Sequence, residues 1–284
     1  MKILAITGGR MRADRVSSWS GAPFFMLNAL RRAGADVESI ILEEPNYIWG
    51  DVAAKVFHRT FTHKNFLLDR TPRRQAHLRH ELEARLPGRT YDLIFSPSTQ
   101  YIAALPANVP AVFWTDAVFS EMIDYYREFS GLTGGSIRQG ELVERQALDR
   151  AHLALYSSQW AADGAKRFSP KNADKVRVIP FGANVSDEPS TEDAIVMIQR
   201  RSGPVKLLFA GVDWQRKGGA FALEVVQRAH ALGVPVQLDI VGANPPPYDI
   251  AGMTDVRSHG FVSKSQVKGR AKIRSLMSEA HWLI

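Results

Sequence analysis

Val205-Lys-Leu-Leu-Phe-Ala-Gly-Val-Asp-Trp-Gln-Arg-Lys-Gly-Gly-Ala220 is the stretch that decides the fold. Val205 to Ala210 is an apolar run of strand length, Gly211 breaks it, and Phe221, Val225 and Ala229 recur every four residues as one face of a helix. A strand, a turn and a helix in that order belong at the carboxyl edge of a parallel sheet. Such a turn leaves backbone N–H groups at the helix N-terminus, and Arg216 and Lys217 place two cations beside them. The guest this chemistry suits is a phosphate or diphosphate. Solvated turn residues are the alternative reading of the same basic pair.

Outward from that turn, strands alternate with helices along the whole chain. Lys2 to Thr7 reads as a buried strand, Ala22 to Ala33 as a helix with Pro23 in its first turn and Gly34 past its end, and Val37 to Leu42 as the next strand. Asp92 to Ser96, Ala111 to Thr115, His152 to Tyr156 and Val176 to Pro180 follow as strands. Val118 to Phe129, Glu141 to Arg150 and Ser158 to Phe168 lie between or after them as helices. Beyond the opening stretch come strands at Val236 to Val241 and Val256 to Ser258, a helix at Val267 to Glu279, and a strand start at His281 to Ile284. This pattern predicts an α/β protein with doubly wound parallel sheets. Ligands gather at the carboxyl ends of strands in such sheets, which singles out Ser96, Ser98, Thr115 and Asp116. Asp116 also reads as a helix N-cap.

Composition narrows the function classes. With 284 residues and 45% hydrophobic side chains the chain has room for two cores, and with no Cys it has neither disulfides nor thiolate sites. No apolar run is long enough to span a bilayer, and Met1 leads directly into a strand, so a cytoplasmic location is expected. The net charge of +7 is concentrated: Lys55 to Arg89 holds nine Lys/Arg against three Asp/Glu, and four of the eight His. Phe57, Phe61, Phe66, Leu67 and Leu68 interleave with those cations. Residues 55–89 therefore read as a solvated helical face, or as a surface for an anionic membrane or acidic acceptor. Nucleic acid is the weaker partner, because no recognisable nucleic-acid module accompanies the charge. No Asp-x-Asp follows a strand, no His pair has ligand spacing, and no G-x-G-x-x-G follows the first strand, so neither a metal nor a nicotinamide cofactor is expected.

Several segments resemble glycosyltransferase family 4, retaining enzymes of the two-domain GT-B fold. In that family a strand ends in Gly and a Lys-Gly pair opens the next helix six residues later, as Gly211 and Lys217-Gly218 do. Trp19-Ser-Gly-Ala-Pro23, Trp114-Thr-Asp116, Tyr156-Ser-Ser-Gln-Trp160 and Val178-Ile-Pro-Phe-Gly-Ala-Asn184 are similar to other family segments. The resemblance implies residues 1–184 as an acceptor-side Rossmann-like domain, 185–204 as a linker, and 205–284 as part of a nucleotide-sugar-binding domain. It implies Lys217 and Gly218 at the donor diphosphate, Gly21 and Gly242 on loops near donor and acceptor, and Asp116 orienting hydroxyls at the transferred sugar; Arg216 would supply the second diphosphate cation from the position next to Lys217. Many members carry Arg after the strand-ending Gly, where this chain has Val212.

The implied reaction moves a sugar from a nucleotide diphospho-sugar to a glycan, lipid or small-molecule acceptor, in the cleft between domains and without a metal. The family's pair of Glu eight positions apart has no counterpart in the sequence. A C-terminally truncated second domain is therefore expected, inactive alone, with that pair beyond Ile284. Nucleotide-sugar epimerases and phosphorylases share the architecture, and a non-catalytic nucleotide or anionic-surface module stays open beside them.

Overall fold

The structure, a computed structural model, describes residues 1–284 except 44–48, 87, 89, 107–109, 186–188, 200–202 and 246–249. Residues 87 and 89 of the basic stretch and residues 186–188 and 200–202 of the expected linker lie outside the described residues. The chain divides into two compact units, Met1–Asn184 and Val185–Ile284.

The first unit runs β1 (Lys2–Gly8), α1 (Ala22–Arg32), β2 (Asp36–Leu42), α2 (Trp49–Phe57), α3 (Pro72–Arg85), β3 (Leu93–Ser96), α4 (Thr99–Ala104), β4 (Ala111–Thr115), α5 (Phe119–Met122), α6 (Gly134–Arg150), β5 (Leu153–Tyr156), α7 (Gln159–Phe168) and β6 (Val176–Val178). The strands form one parallel sheet in the order β2-β1-β3-β4-β5-β6. Alternation sends Leu4, Ile6, Ile94, Phe113 and Tyr156 to one face, against Leu78, Leu82, Ile102, Val143 and Ala165. Ile3, Ala5, Phe95 and Val112 go to the other face, against Met26 and Leu27 of α1. Both faces are covered, so the strands read as unbroken apolar runs in the sequence. The helices start where capping hydroxyls stand: Thr71, Ser98, Thr133 and Ser158 each accept a hydrogen bond from an amide two or three residues on.

The second unit runs α8 (Thr191–Gln199), β7 (Val205–Gly211), α9 (Gly219–Ala231), β8 (Val236–Gly242), β9 (Val256–Ser258), α10 (Val267–Glu279) and β10 (Trp282–Leu283). Its strands are parallel in the order β10-β7-β8-β9. Leu207, Phe209, Leu238 and Ile240 pack against Ala222, Leu223 and Val226 of α9, while Leu208 and Val241 pack against Leu276 of α10 and Ala280 just past its end.

Three expectations are corrected. The helix expected over Val118 to Phe129 is one turn at α5 and a short 3-10 turn at Arg127–Phe129, because Asp124 adopts φ +58° between them and its carboxylate accepts the Gly131 amide. The helix expected from Glu141 begins at Gly134, where the Thr133 cap outweighs the cost of two consecutive glycines. The inward face of α9 is set by Ala222, Leu223 and Val226, and Phe221 is 69% exposed. Among the described residues no helix is long and apolar enough to cross a membrane.

Candidate functional site

β7 and β8 run in register from Val205↔Val236 to Gly211↔Gly242, so two glycines end neighbouring strands at one level. A Cβ on Gly242, whose φ is +97°, would stand 2.7 Å from the Gly211 carbonyl oxygen. A Cβ on Gly211 would stand 2.9 Å from Cγ of Lys217. The glycines thus flatten the carboxyl edge of this sheet, and the Lys217 stem lies across Gly211.

The turn from β7 into α9 is closed by its own backbone. The Lys217 amide donates to the Asp213 carbonyl (3.1 Å), the Gly218 amide to Gln215 (3.1 Å) and the Gly219 amide to Trp214 (2.8 Å). The Arg216 amide donates to Asp213 Oδ1 (3.0 Å). Gly218 caps α9 in the left-handed region at φ +79°. The Trp214 ring lies beneath Gly219, where a Cβ would meet it at 2.1 Å, and its edge packs on Phe209 at 5.3 Å between centroids.

The amides of residues 216–219 are all taken by the turn, so the free amides expected at the helix N-terminus fall beyond them. The amides of Ala220 and Phe221, in the first turn of α9, take no acceptor among the described residues. The two cations also differ. Arg216 Nε lies 3.7 Å from Asp213 Oδ2, whereas Lys217 is exposed and has no acidic partner among the described residues.

Gly242 donates its amide to the carbonyl of Gly260 (2.8 Å), and Asn244 Oδ1 lies 3.5 Å from where a Gly260 Cβ would be. His259 beside it is fixed by Asp239 Oδ1 at 2.6 Å. Gly260, Trp214 and the Asp239–His259 pair were not singled out from the sequence. The His259-Gly260 dipeptide after the short β9 run is the one local signal of a further edge turn.

At the carboxyl edge of the first sheet, Asp116 follows Thr115 at the end of β4. The cap position of α5 is Val118, so Asp116 is not an N-cap, and its carboxylate has no side-chain partner among the described residues. Burial pushes its pKa above the ordinary Asp value, opposed only by its own backbone. Two residues earlier, Trp114 donates Nε1–H to the Ile179 carbonyl (2.8 Å). Phe181 packs edge-on between Trp114 (5.3 Å) and Trp19 (5.4 Å). Trp19 and Ser20 adopt φ +43° and +57°, and Gly21 follows at φ +88° as the cap of α1. Asn184 reaches the Ser20 carbonyl at 3.5 Å. The fold therefore gathers three segments distant in sequence, 19–21, 114–116 and 179–184, at this edge. Ser96 and Ser98 serve the scaffold: Ser96 Oγ donates to the Ile6 carbonyl (2.9 Å) and Ser98 caps α4.

Behind this edge lies a buried polar network that the sequence did not disclose. Glu144 of α6 accepts from Thr99 Oγ1 (3.1 Å) and from the Phe119 amide, with Arg70 Nη1 at 4.0 Å. Arg70 stacks over the Phe119 ring at 4.8 Å. Burial drives the Glu144 carboxyl up against the opposing pull of Arg70, and burial beside that charge drives the Tyr156 phenol well above its usual value. Thr99, Phe119 and Tyr156 stand at or just beyond the ends of β3, β4 and β5, so one carboxylate ties three edge loops together.

No protein-family model and no curated protein matches the chain. Solved structures do. HepE from Anabaena, in complex with UDP and glucose, is 15% identical with a TM-score of 0.52, over 100% of this chain and 73% of that one. The catalytic domain of starch synthase IV from Arabidopsis thaliana, bound to ADP and acarbose, is 13% identical at a TM-score of 0.57, over 99% and 77%. UDP-GlcNAc 2-epimerase from Methanocaldococcus jannaschii is 12% identical at 0.52, over 100% and 78%. Likeness at that level of identity speaks for architecture: the chain has a GT-B-like α/β fold built from two Rossmann-like parallel-sheet units.

Proposed function

We propose that the chain carries the sugar-nucleotide-binding machinery of a retaining glycosyltransferase. The donor diphosphate would lie at the carboxyl edge of the second sheet, and Asp116 at the edge of the first would orient sugar or acceptor hydroxyls. The observation that carries the reading is the Lys217 stem crossing Gly211, its ammonium unpaired among the described residues. The Ala220 and Phe221 amides of the first turn of α9 supply further donors. As the glycosidic bond breaks, charge grows on the leaving diphosphate, so a cation and amide dipoles held there favour the transition state over the ground state. Gly218 and Gly242 give the backbone its close approach, and Arg216, tied to Asp213, is the weaker cation. The nucleotides named for the Anabaena and Arabidopsis structures support a nucleoside diphosphate as ligand class. Retention, and a glycan, lipid or small-molecule acceptor, follow from the family resemblance.

Isothermal titration with UDP, GDP, ADP and NAD tests this reading. Saturable binding of a nucleoside diphosphate, without binding of NAD, is expected; no binding of any diphosphate contradicts it. The position of Asp116 at the end of β4, with no side-chain partner among the described residues and its carboxyl raised by burial, favours a second reading, a nucleotide-sugar epimerase, because both features suit a general acid. The M. jannaschii likeness supports the same reading. Incubation with UDP-GlcNAc separates the two: epimerisation changes the sugar's NMR spectrum with no release of UDP, and transfer releases UDP only when an acceptor is present.

A further inference from the structure

The helix α2 is mounted inside out. A surface helix normally buries its apolar stripe and shows its polar side to water. In α2 no residue is buried, and its polar side is the anchored one. Asp51 accepts from the Thr71 hydroxyl (2.8 Å) and from Arg73 Nη1 (3.4 Å), and the Arg73 guanidinium lies against Gly50. His58 stacks on Phe66 with ring planes 7° apart. The opposite side carries Trp49, Ala53, Val56 and Phe57 at three- and four-residue spacing, and it faces solvent. Trp49 is 87%, Val56 59% and Phe57 53% exposed. A π-turn over His58–Thr62 continues the helix and keeps Phe61, 72% exposed, beside Phe57 at 5.1 Å between ring centroids.

The display is held in place from both ends. Asp51 fixes its start to α3, and just past its end Asn65 bonds the backbone of Gly131 and Thr133 and the carbonyl of Ser130. Lys55, Arg59 and Lys64 belong to the same helix and turn, all exposed and without an acidic partner among the described residues, with Lys55 one turn on from Asp51. From Val52 to Leu68 there is no Asp or Glu at all. An apolar and aromatic stripe on a segment with three exposed cations, whose one acid, Asp51, is engaged by Thr71 and Arg73, complements one kind of surface: anionic headgroups over hydrocarbon.

We propose that the outer face of α2 and the π-turn is a docking site for an anionic phospholipid bilayer, with Trp49, Val56, Phe57 and Phe61 entering the headgroup region and Lys55, Arg59 and Lys64 meeting lipid phosphates. The site uses none of the residues assigned to nucleotide binding and stands whether or not that assignment holds. The test is co-sedimentation of the full chain, without nucleotide, with vesicles of phosphatidylcholine mixed with phosphatidylglycerol and with phosphatidylcholine alone. Binding to the anionic vesicles that weakens with added salt is expected. Phe57→Ser with Phe61→Ser should lower the partition coefficient about tenfold or more, and Lys55→Glu with Arg59→Glu should lower it by a similar factor. These side chains are exposed, so circular dichroism should show both variants folded. Failure to bind anionic vesicles at low salt overturns the proposal, as does binding that the Phe pair does not affect. A concentration-dependent dimer abolished by the same Phe substitutions, with no vesicle binding, would assign the face to a second copy of this chain and overturn it too.

Discussion

Replacing Lys217 by Ala separates a diphosphate site from a solvated turn. The ammonium is exposed and unpaired among the described residues, so its loss should change folding stability by no more than about 0.5 kcal/mol. Against a bound diphosphate it would make a charge-assisted hydrogen bond worth roughly 1.5–3 kcal/mol. That corresponds to a Kd about 10- to 150-fold weaker. Arg216→Ala is the internal control. Its guanidinium is shared with Asp213 Oδ2 at 3.7 Å, so its loss should weaken diphosphate binding less than the loss of Lys217. Gly211→Ala should fall between the two, because its Cβ would stand 2.9 Å from Lys217 Cγ and push the lysine stem aside without touching the ammonium itself. Titration of the folded variants with the tightest-binding nucleoside diphosphate gives all three numbers. Equal affinity in Lys217→Ala and the parent, or a larger loss in Arg216→Ala than in Lys217→Ala, would refute the reasoning.

Asp116→Asn should hold or raise stability against urea, since the amide removes a carboxylate that burial already penalises. Because Asp116 and Glu144 are raised, the folded state binds their protons more tightly than the unfolded state, and stability should increase as pH falls toward the ordinary carboxylate range. Below that range the lowered groups Asp14, Asp149 and Glu279 protonate and the trend should reverse; denaturant midpoints against pH would show the maximum, with a shallower rising limb in Asp116→Asn. Glu144→Ala should cost about 1–3 kcal/mol in urea unfolding, because the Thr99 hydroxyl and the Phe119 amide lose their buried acceptor and Arg70 keeps only Asp69, 3.8 Å from its Nε. Gly242→Ala should cost at least about 1–2 kcal/mol, from a left-handed φ of +97° together with a contact on the Gly211 carbonyl, and should broaden or lose diphosphate binding.

The alternation of apolar runs with capped helical stretches made most strands legible to within a residue or two, because buried parallel strands and hydroxyl caps both leave local signatures. Val118 to Phe129 misled because its apolar residues suit a helix while Asp124 bonds forward to Gly131, a tertiary fact with no local mark. Phe221 misled for a related reason: the phase of α9 is set by Gly218 at the cap and by the sheet beneath, so the inward stripe falls one residue later than spacing alone suggests. At the candidate site the glycines and cations were legible as types. Their inequality was not, because it depends on Asp213 folding back to Arg216 and on Trp214 filling the space under Gly219. The Glu144 network and the aromatic contact joining residues 19, 114 and 181 bring together segments far apart in the chain, and no window of sequence contains them.

The central claim is that Lys217 and the opening amides of α9 receive a diphosphate, and a crystal structure of the chain with UDP addresses it most directly. The expected result is diphosphate oxygens within about 3 Å of Lys217 Nζ and of the Ala220 or Phe221 amide nitrogens, beside Gly211 and Gly242. A nucleotide seated elsewhere, with Lys217 still in solvent, would contradict it.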